Sequence, residues 1–178
     1  MSPLGEGESV ISDSPPASIR SVTTEGAQSA ARSLAELAPR LGRFIAHALE
    51  SDPDIALSLR QYRMLERLTA RPHRTGELAS FSGITQPTAS AAISSLESRG
   101  LVNRRPDPDD RRATLIEISN RGESVLSIAK DRVLQRLTVV TAEMTAEDAE
   151  ALAALQPILT KGMDRLRDQL RAQTRERH

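Results

Sequence analysis

The stretch from Gly83 to Gly122, GITQPTASAAISSLESRGLVNRRPDPDDRRATLIEISNRG, leaves this chain few folds to choose from. Thr85 is a good N-cap, and Pro87 falls in the first turn behind it, where a missing N–H costs little. Ile93 and Leu96, three apart, mark the inward face of a short helix, and Gly100 stands where a left-handed cap residue belongs. Leu101 to Arg105 predicts a short strand. Pro106-Asp107-Pro108-Asp109-Asp110 predicts a turn, and Ala113 to Ser119 an alternating strand with Thr114, Ile116 and Ile118 on one face. A helix followed by a β-hairpin in this order is a recognition helix with its wing. The helix suits a DNA major groove, and the charged hairpin tip suits the groove beside it.

The flanks read as helices. Before the run, Ala31, Leu34, Ala38, Leu41, Ile45 and Leu49 recur at three- and four-residue steps over about Ala27 to Glu50, with Pro39 expected to bend or split that helix. A second helix fits Leu57 to Ala70, with Leu57, Tyr62, Leu65 and Leu68 inward. A third fits Thr75 to Phe81, with Thr75 as its cap and Leu78 and Ala79 inward. After the run, Ser119 or Asn120 opens a helix to about Ala142 with the stripe Val125, Ile128, Ala129, Leu137 and Val140. Thr145-Ala146-Glu147-Asp148 resembles a capping box for a last helix to about Ala172, which Pro157 is expected to kink. Residues 1–26, rich in Ser, Gly, Pro and Glu, cannot bury enough apolar surface to offset their ordering entropy and predict a disordered tail. Residues 173–178 predict a flexible C-terminus.

The fold class is therefore mostly α with a small β-hairpin wing. It comprises a winged helix-turn-helix core over about 55–119, with dimerisation helices from both ends of the chain, about 27–50 and 120–172. The outer stripes exceed what so small a core can cover, which points to a second copy of the chain.

The net charge of zero argues against nucleic acid only until it is divided along the chain. Residues 1–59 carry −4, residues 60–112 carry +4, and residues 113–178 carry zero. The excess falls on the predicted reader, and every cation in it is Arg, suited to forked contacts with phosphates and base edges. The chain has no Cys, which fits a reducing cytoplasm and removes thiol chemistry and Cys-ligated metal. His47, His73 and His178 form no close pair, and Asp107–Asp110 lacks the spacing of a calcium loop, so no metal site is expected. No nucleotide loop or nucleophile motif stands in the chain, so neither enzyme activity nor a cofactor is expected. No signal-peptide core or membrane span is expected, and a cytoplasmic location follows.

Leu78-Ala79, Gly83-Ile84-Thr85, Leu96-Glu97-Ser98-Arg99-Gly100-Leu101-Val102 and Asp107-Pro108-Asp109-Asp110-Arg111-Arg112, with Leu115, Ile118 and Gly122 after them, resemble the multiple antibiotic resistance regulator (MarR) family. The likeness in residue pattern spans about Leu57 to Gly122, and that in element order about Ala27 to Ala172. It implies a homodimeric winged-helix regulator, usually a repressor. Two recognition helices would enter successive major grooves of a near-palindromic operator, about 34–36 Å apart. A small phenolic or anionic effector would release the DNA from a site between the dimer helices and the reading domain. By position, Gln86, Pro87, Thr88, Ser90 and Ala91 fall at the base-facing start of the recognition helix. Arg112 falls at the wing tip that enters the minor groove, and Asp110 where a salt bridge would hold that arginine. Thr75, Ser94, Arg99, Arg104, Arg105 and Arg111 complete the expected DNA-facing set, mainly towards phosphates. Ala91 stands where the family often has a basic residue, so specificity would rest on Gln86, thymine-methyl contacts and DNA shape. Phe44, His47, Tyr62 and Met64 are the expected effector-pocket residues. The alternatives are a winged-helix protein-interaction module and an architectural DNA-binding protein without ligand response.

Overall fold

The computed structural model describes residues 24–110 and 112–176. In chain order these form α1 (Thr24–Glu50), α2 (Leu59–Leu68), β1 (His73–Arg74), α3 (Thr75–Ser82), α4 (Gln86–Ser98), β2 (Val102–Pro106), β3 (Thr114–Ile118), α5 (Asn120–Val140) and α6 (Ala146–Glu176). The chain divides into two units. The described residues up to Leu41 make one, a stretch of α1 whose Leu34, Leu37 and Leu41 are exposed. Everything from Gly42 onward makes the other.

The second unit holds the core. Leu49, Ile55, Leu57, Leu65, Leu78, Ile93, Leu96, Leu101 and Ile116 are fully buried together, with Met64, Ala89, Leu126 and Ala129 among them. Each large aliphatic side chain so buried contributes about 1.5–3 kcal/mol. The helix starts after α1 have local chemical causes. The Ser58 hydroxyl accepts from the Gln61 N–H, and the Gln61 side chain accepts from the Ser58 N–H. Thr85 caps Thr88, Ser119 caps Gly122, and Thr145 and Asp148 exchange the two bonds of a capping box. Gly83 and Gly100 take the left-handed conformation that ends α3 and α4, with φ of 63° and 68°.

Several boundaries differ from the sequence reading. α1 starts at Thr24, so residues 24–26, assigned by composition to the tail, are helical, while 1–23 lie outside the described residues. α6 runs on to Glu176, through residues expected to be a flexible end. Pro39 and Pro157 split neither helix. A proline removes one N–H donor, and a helix of 27 or 31 residues has many others to hold its register. α3 is capped at Arg74 rather than Thr75, because the Glu77 carboxylate accepts from the Arg74 N–H. On α5, Leu126 is buried and Ile128 exposed.

The sheet has a strand that periodicity did not show. β1, only two residues long, pairs antiparallel with β3 in the order β1-β3-β2, with His73 opposite Ile116 and Arg74 opposite Leu115. β2 and β3 form the wing hairpin, from Val102 opposite Ile118 to Pro106 opposite Thr114. No helix among the described residues is long and apolar enough to cross a membrane.

Candidate nucleic-acid interface

α4 buries Ala89, Ile93 and Leu96 and turns Gln86, Pro87, Ala91 and Ser94 to solvent, with Thr88 and Ser90 half-buried beside them. The outward face is small and uncharged, so it can approach a groove floor closely. Thr75 begins α3 and is half-buried. Gln61 of α2 donates to the Ser95 hydroxyl at 3.1 Å, which ties the outer side of α4 to the helix behind it.

The arginines expected to face DNA divide into three groups. Arg99 is occupied within the fold: Nη1 donates to the Ala56 carbonyl and Nη2 to the Ile55 carbonyl, both at 2.7 Å. This corrects the expected phosphate role. The fork instead holds the turn at Ala56, whose φ of 42° lies in the left-handed region that a residue with a Cβ adopts only under constraint. Arg104 pairs with Glu97 and Arg105 with Glu117, each at 2.8 Å, and both remain partly exposed. Such exposed pairs are worth about 0.2–1 kcal/mol and can be exchanged for a phosphate. Arg112 is exposed, and its guanidinium has no ion-pair partner among the described residues. Arg111 lies outside the described residues.

The wing tip is held differently from the sequence expectation. Asp110 accepts from the backbone N–H of Arg112 at 3.0 Å, rather than from its guanidinium. Its other oxygen lies 3.7 Å from Nη1 of Arg74. Asp107, only 6% exposed, accepts from Nε of Arg74 at 2.7 Å through Oδ2, which also lies 2.6 Å from Nη2 in an ion pair, and from the Asp109 N–H at 3.0 Å through Oδ1. The Asp109 N–H foremost, and then Arg74, hold the Asp107 carboxyl below the usual carboxylate range. Backbone bonds from Asp107 N–H to Ala113 and from Ala113 N–H to Asp110 close the turn.

The four expected effector residues line neither of the two main cavities. Met64 is wholly buried in the core, and Phe44 is 57% exposed. His47 is exposed on α1, and the half-buried Tyr62 donates to Glu66 at 3.2 Å. The larger cavity, about 1180 Å³, lies instead where α2 and α3 face the C-terminal half of α6. Arg67, Arg71, His73, Phe81 and Ile84 line one side, and Met163, Leu166, Arg167 and Leu170 the other. Arg67 stacks over the Phe81 ring at 4.9 Å. His73 is buried, with its Nδ1 3.4 Å from a Glu77 carboxylate oxygen but neither ring nitrogen in hydrogen-bonding geometry. Burial and the nearby Arg71 keep the ring's pKa below its usual value and the ring neutral, although Glu77 pulls the other way. Glu77 itself, held by Arg71 at 2.8 Å and by the Arg74 N–H, is pushed down to about 2 against the desolvation that opposes the shift.

Comparison with known proteins places this geometry. Residues 57–114 match the MarR family model. Over 127 residues the chain is 27% identical to the uncharacterized HTH-type transcriptional regulator YybA of Bacillus subtilis (strain 168), covering 68% of this chain and 85% of that one. Sco3205, a MarR family transcriptional regulator from Streptomyces coelicolor solved in complex with DNA, is 27% identical with a TM-score of 0.59, over 84% of this chain and 92% of its own. The transcriptional repressor CouR, solved bound to a 23-mer DNA duplex, is 26% identical with a TM-score of 0.61, over 78% of this chain and 98% of its own. Residues 57–114 thus carry the MarR family's winged-helix pattern, and the chain is similar over most of its length to DNA-binding transcriptional regulators of that family.

Proposed function

We propose that the protein is a cytoplasmic, homodimeric repressor that binds a near-palindromic operator and leaves it when a small anionic or phenolic molecule binds. The observation that carries the DNA-reading part is the pairing of α4's exposed, uncharged outer face with an exposed wing arginine, Arg112. In this reading Gln86, Pro87, Thr88, Ser90, Ala91 and Ser94 lie along the major groove, and Arg112 enters the minor groove, whose narrow form attracts arginine. Arg104 and Arg105 exchange their glutamate partners for phosphates. The dimer is supported by the exposed apolar stripe of α6, which includes Leu152, Leu155, Met163, Leu166 and Leu170. Effector release is supported by the cavity between α3 and α6, where Arg67 and Arg71 offer positive charge beside the Phe81 ring and the buried His73.

The test starts from a duplex selected by the native protein from a randomised pool. Gln86→Ala should relax base preference at one position per half-site, at about 1–3 kcal/mol. Arg112→Ala should weaken binding and flatten its salt dependence. Unchanged affinity and preference in both variants would sink the reading. Absence of any preferred duplex would favour an architectural role.

A further inference from the structure

The two residues of β1 face opposite ways, and the outward one reaches the wing. Arg74 is on the strand that pairs with β3, yet its guanidinium lies between two carboxylates of the β2–β3 turn. Two of its nitrogens meet Asp107, which is almost wholly buried, and a third faces Asp110. Asp107 and Asp110 in turn hold the tip from inside. Asp107 takes the Asp109 N–H, and Asp110 takes the N–H of Arg112 itself. A hairpin of two short strands is marginal by itself, and its tip is held only by what packs on it. The chain of contacts thus runs from the sheet edge, through one guanidinium and two carboxylates, to the backbone of the arginine that faces DNA.

We propose that Arg74 is a positioning residue for DNA binding: gripped by Asp107 and Asp110, it fixes the wing tip so that Arg112 is presented in one orientation. A tip ordered before binding loses less conformational entropy on the DNA than one that must be ordered there. Arg74 does this with its planar guanidinium, whose Nε and Nη2 converge on Oδ2 of Asp107 while Nη1 faces Asp110, so that one rigid group spans both carboxylates. It also explains why Asp110 does not pair with the Arg112 side chain. The guanidinium of Arg74 stands at the second carboxylate oxygen, while the first holds the backbone, leaving the Arg112 side chain for its target.

This proposal rests on the wing arginine contacting DNA, and the experiment separates the two. Operator affinity is measured on the selected duplex for Arg74→Lys, Asp107→Asn and Arg112→Ala, and for the first two in the Arg112→Ala background. Thermal unfolding is followed in parallel. Arg74→Lys keeps the charge and loses the fork, and Asp107→Asn removes a negative charge near the DNA. A purely electrostatic role therefore predicts no change for the first and tighter binding for the second. Positioning predicts roughly tenfold weaker binding for both. It also predicts no further loss from either once Arg112 is gone. Unchanged or tighter binding overturns the proposal. So does an equal loss in the Arg112→Ala background, which would mark a general effect on the fold. If Arg112→Ala is itself silent while the other two weaken binding, Arg112 is not what Arg74 positions, and the proposal falls on that count. If all three are silent, the wing reading falls with it.

Discussion

At the scale of single residues, His73 and Tyr62 make the sharpest statements. Burial holds the His73 ring below its usual pKa, so the unfolded chain takes up a proton at a pH where the folded one does not. Stability should fall as pH drops below about 6.5, and His73→Gln should flatten that slope in denaturant titrations. Glu77 works over a more acidic window. Held at about 2, against an ordinary 4.5, it contributes stability above pH 4.5 that disappears as pH falls towards 2. Glu77→Gln and native stability curves should therefore converge in acid. Tyr62, the chain's one tyrosine, is pushed up to about 12 by burial and then by Glu66. Its near-ultraviolet absorbance should titrate near that value, and an ordinary midpoint near 10 would refute the contact. None of these partnerships was readable in the sequence. His73 is one of three scattered histidines there, and what makes it unusual is its burial in the fold beside Arg71 and Glu77.

At the scale of elements, the turn of chain at Ser119 joins the wing to α5. The Ser119 hydroxyl accepts from the Gly122 N–H and donates to the Gly100 carbonyl at 2.6 Å, bridging the start of α5 to the end of α4. Ser119→Ala should cost about 0.5–2 kcal/mol in thermal or denaturant unfolding. Beside it, Gly122 is buried so closely that an added Cβ would collide with the Leu101 carbonyl and Ile118, and Gly122→Ala should cost about 1–3 kcal/mol or more. Caps of this kind were legible: Thr85, Ser119 and Thr145 were each identified from residue type and spacing, because a cap is a bond between near neighbours. β1 was not. Two residues carry no period, and a strand of that length exists only because β3 offers a ladder for it. Pro39 does not split α1, because a local defect does not decide the fate of a long helix.

At the scale of the whole molecule, the long outer helix carries apolar side chains on the surface of the single chain. Leu152, Leu155, Met163, Leu166 and Leu170 of α6 are each about half exposed or more. Substituting Leu155 and Leu166 together by Glu should yield a monomer by light scattering and remove tight operator binding, while leaving the unfolding of the Gly42-onward core nearly intact. A dimer that persists with native affinity would place the interface elsewhere. The sequence by itself determined the order of the helices, the β2–β3 wing hairpin and the likeness to the MarR family, because each rests on periodicity, capping or turn residues within a few positions of one another. Only the tertiary structure decided what the charged groups do. It turned Arg99 inward onto the Ala56 turn, gave Asp107 to Arg74, and left the Arg112 guanidinium without an ion-pair partner among the described residues. Charge pairing depends on distances of a few ångströms between segments tens of residues apart, and no pattern along the chain encodes those distances.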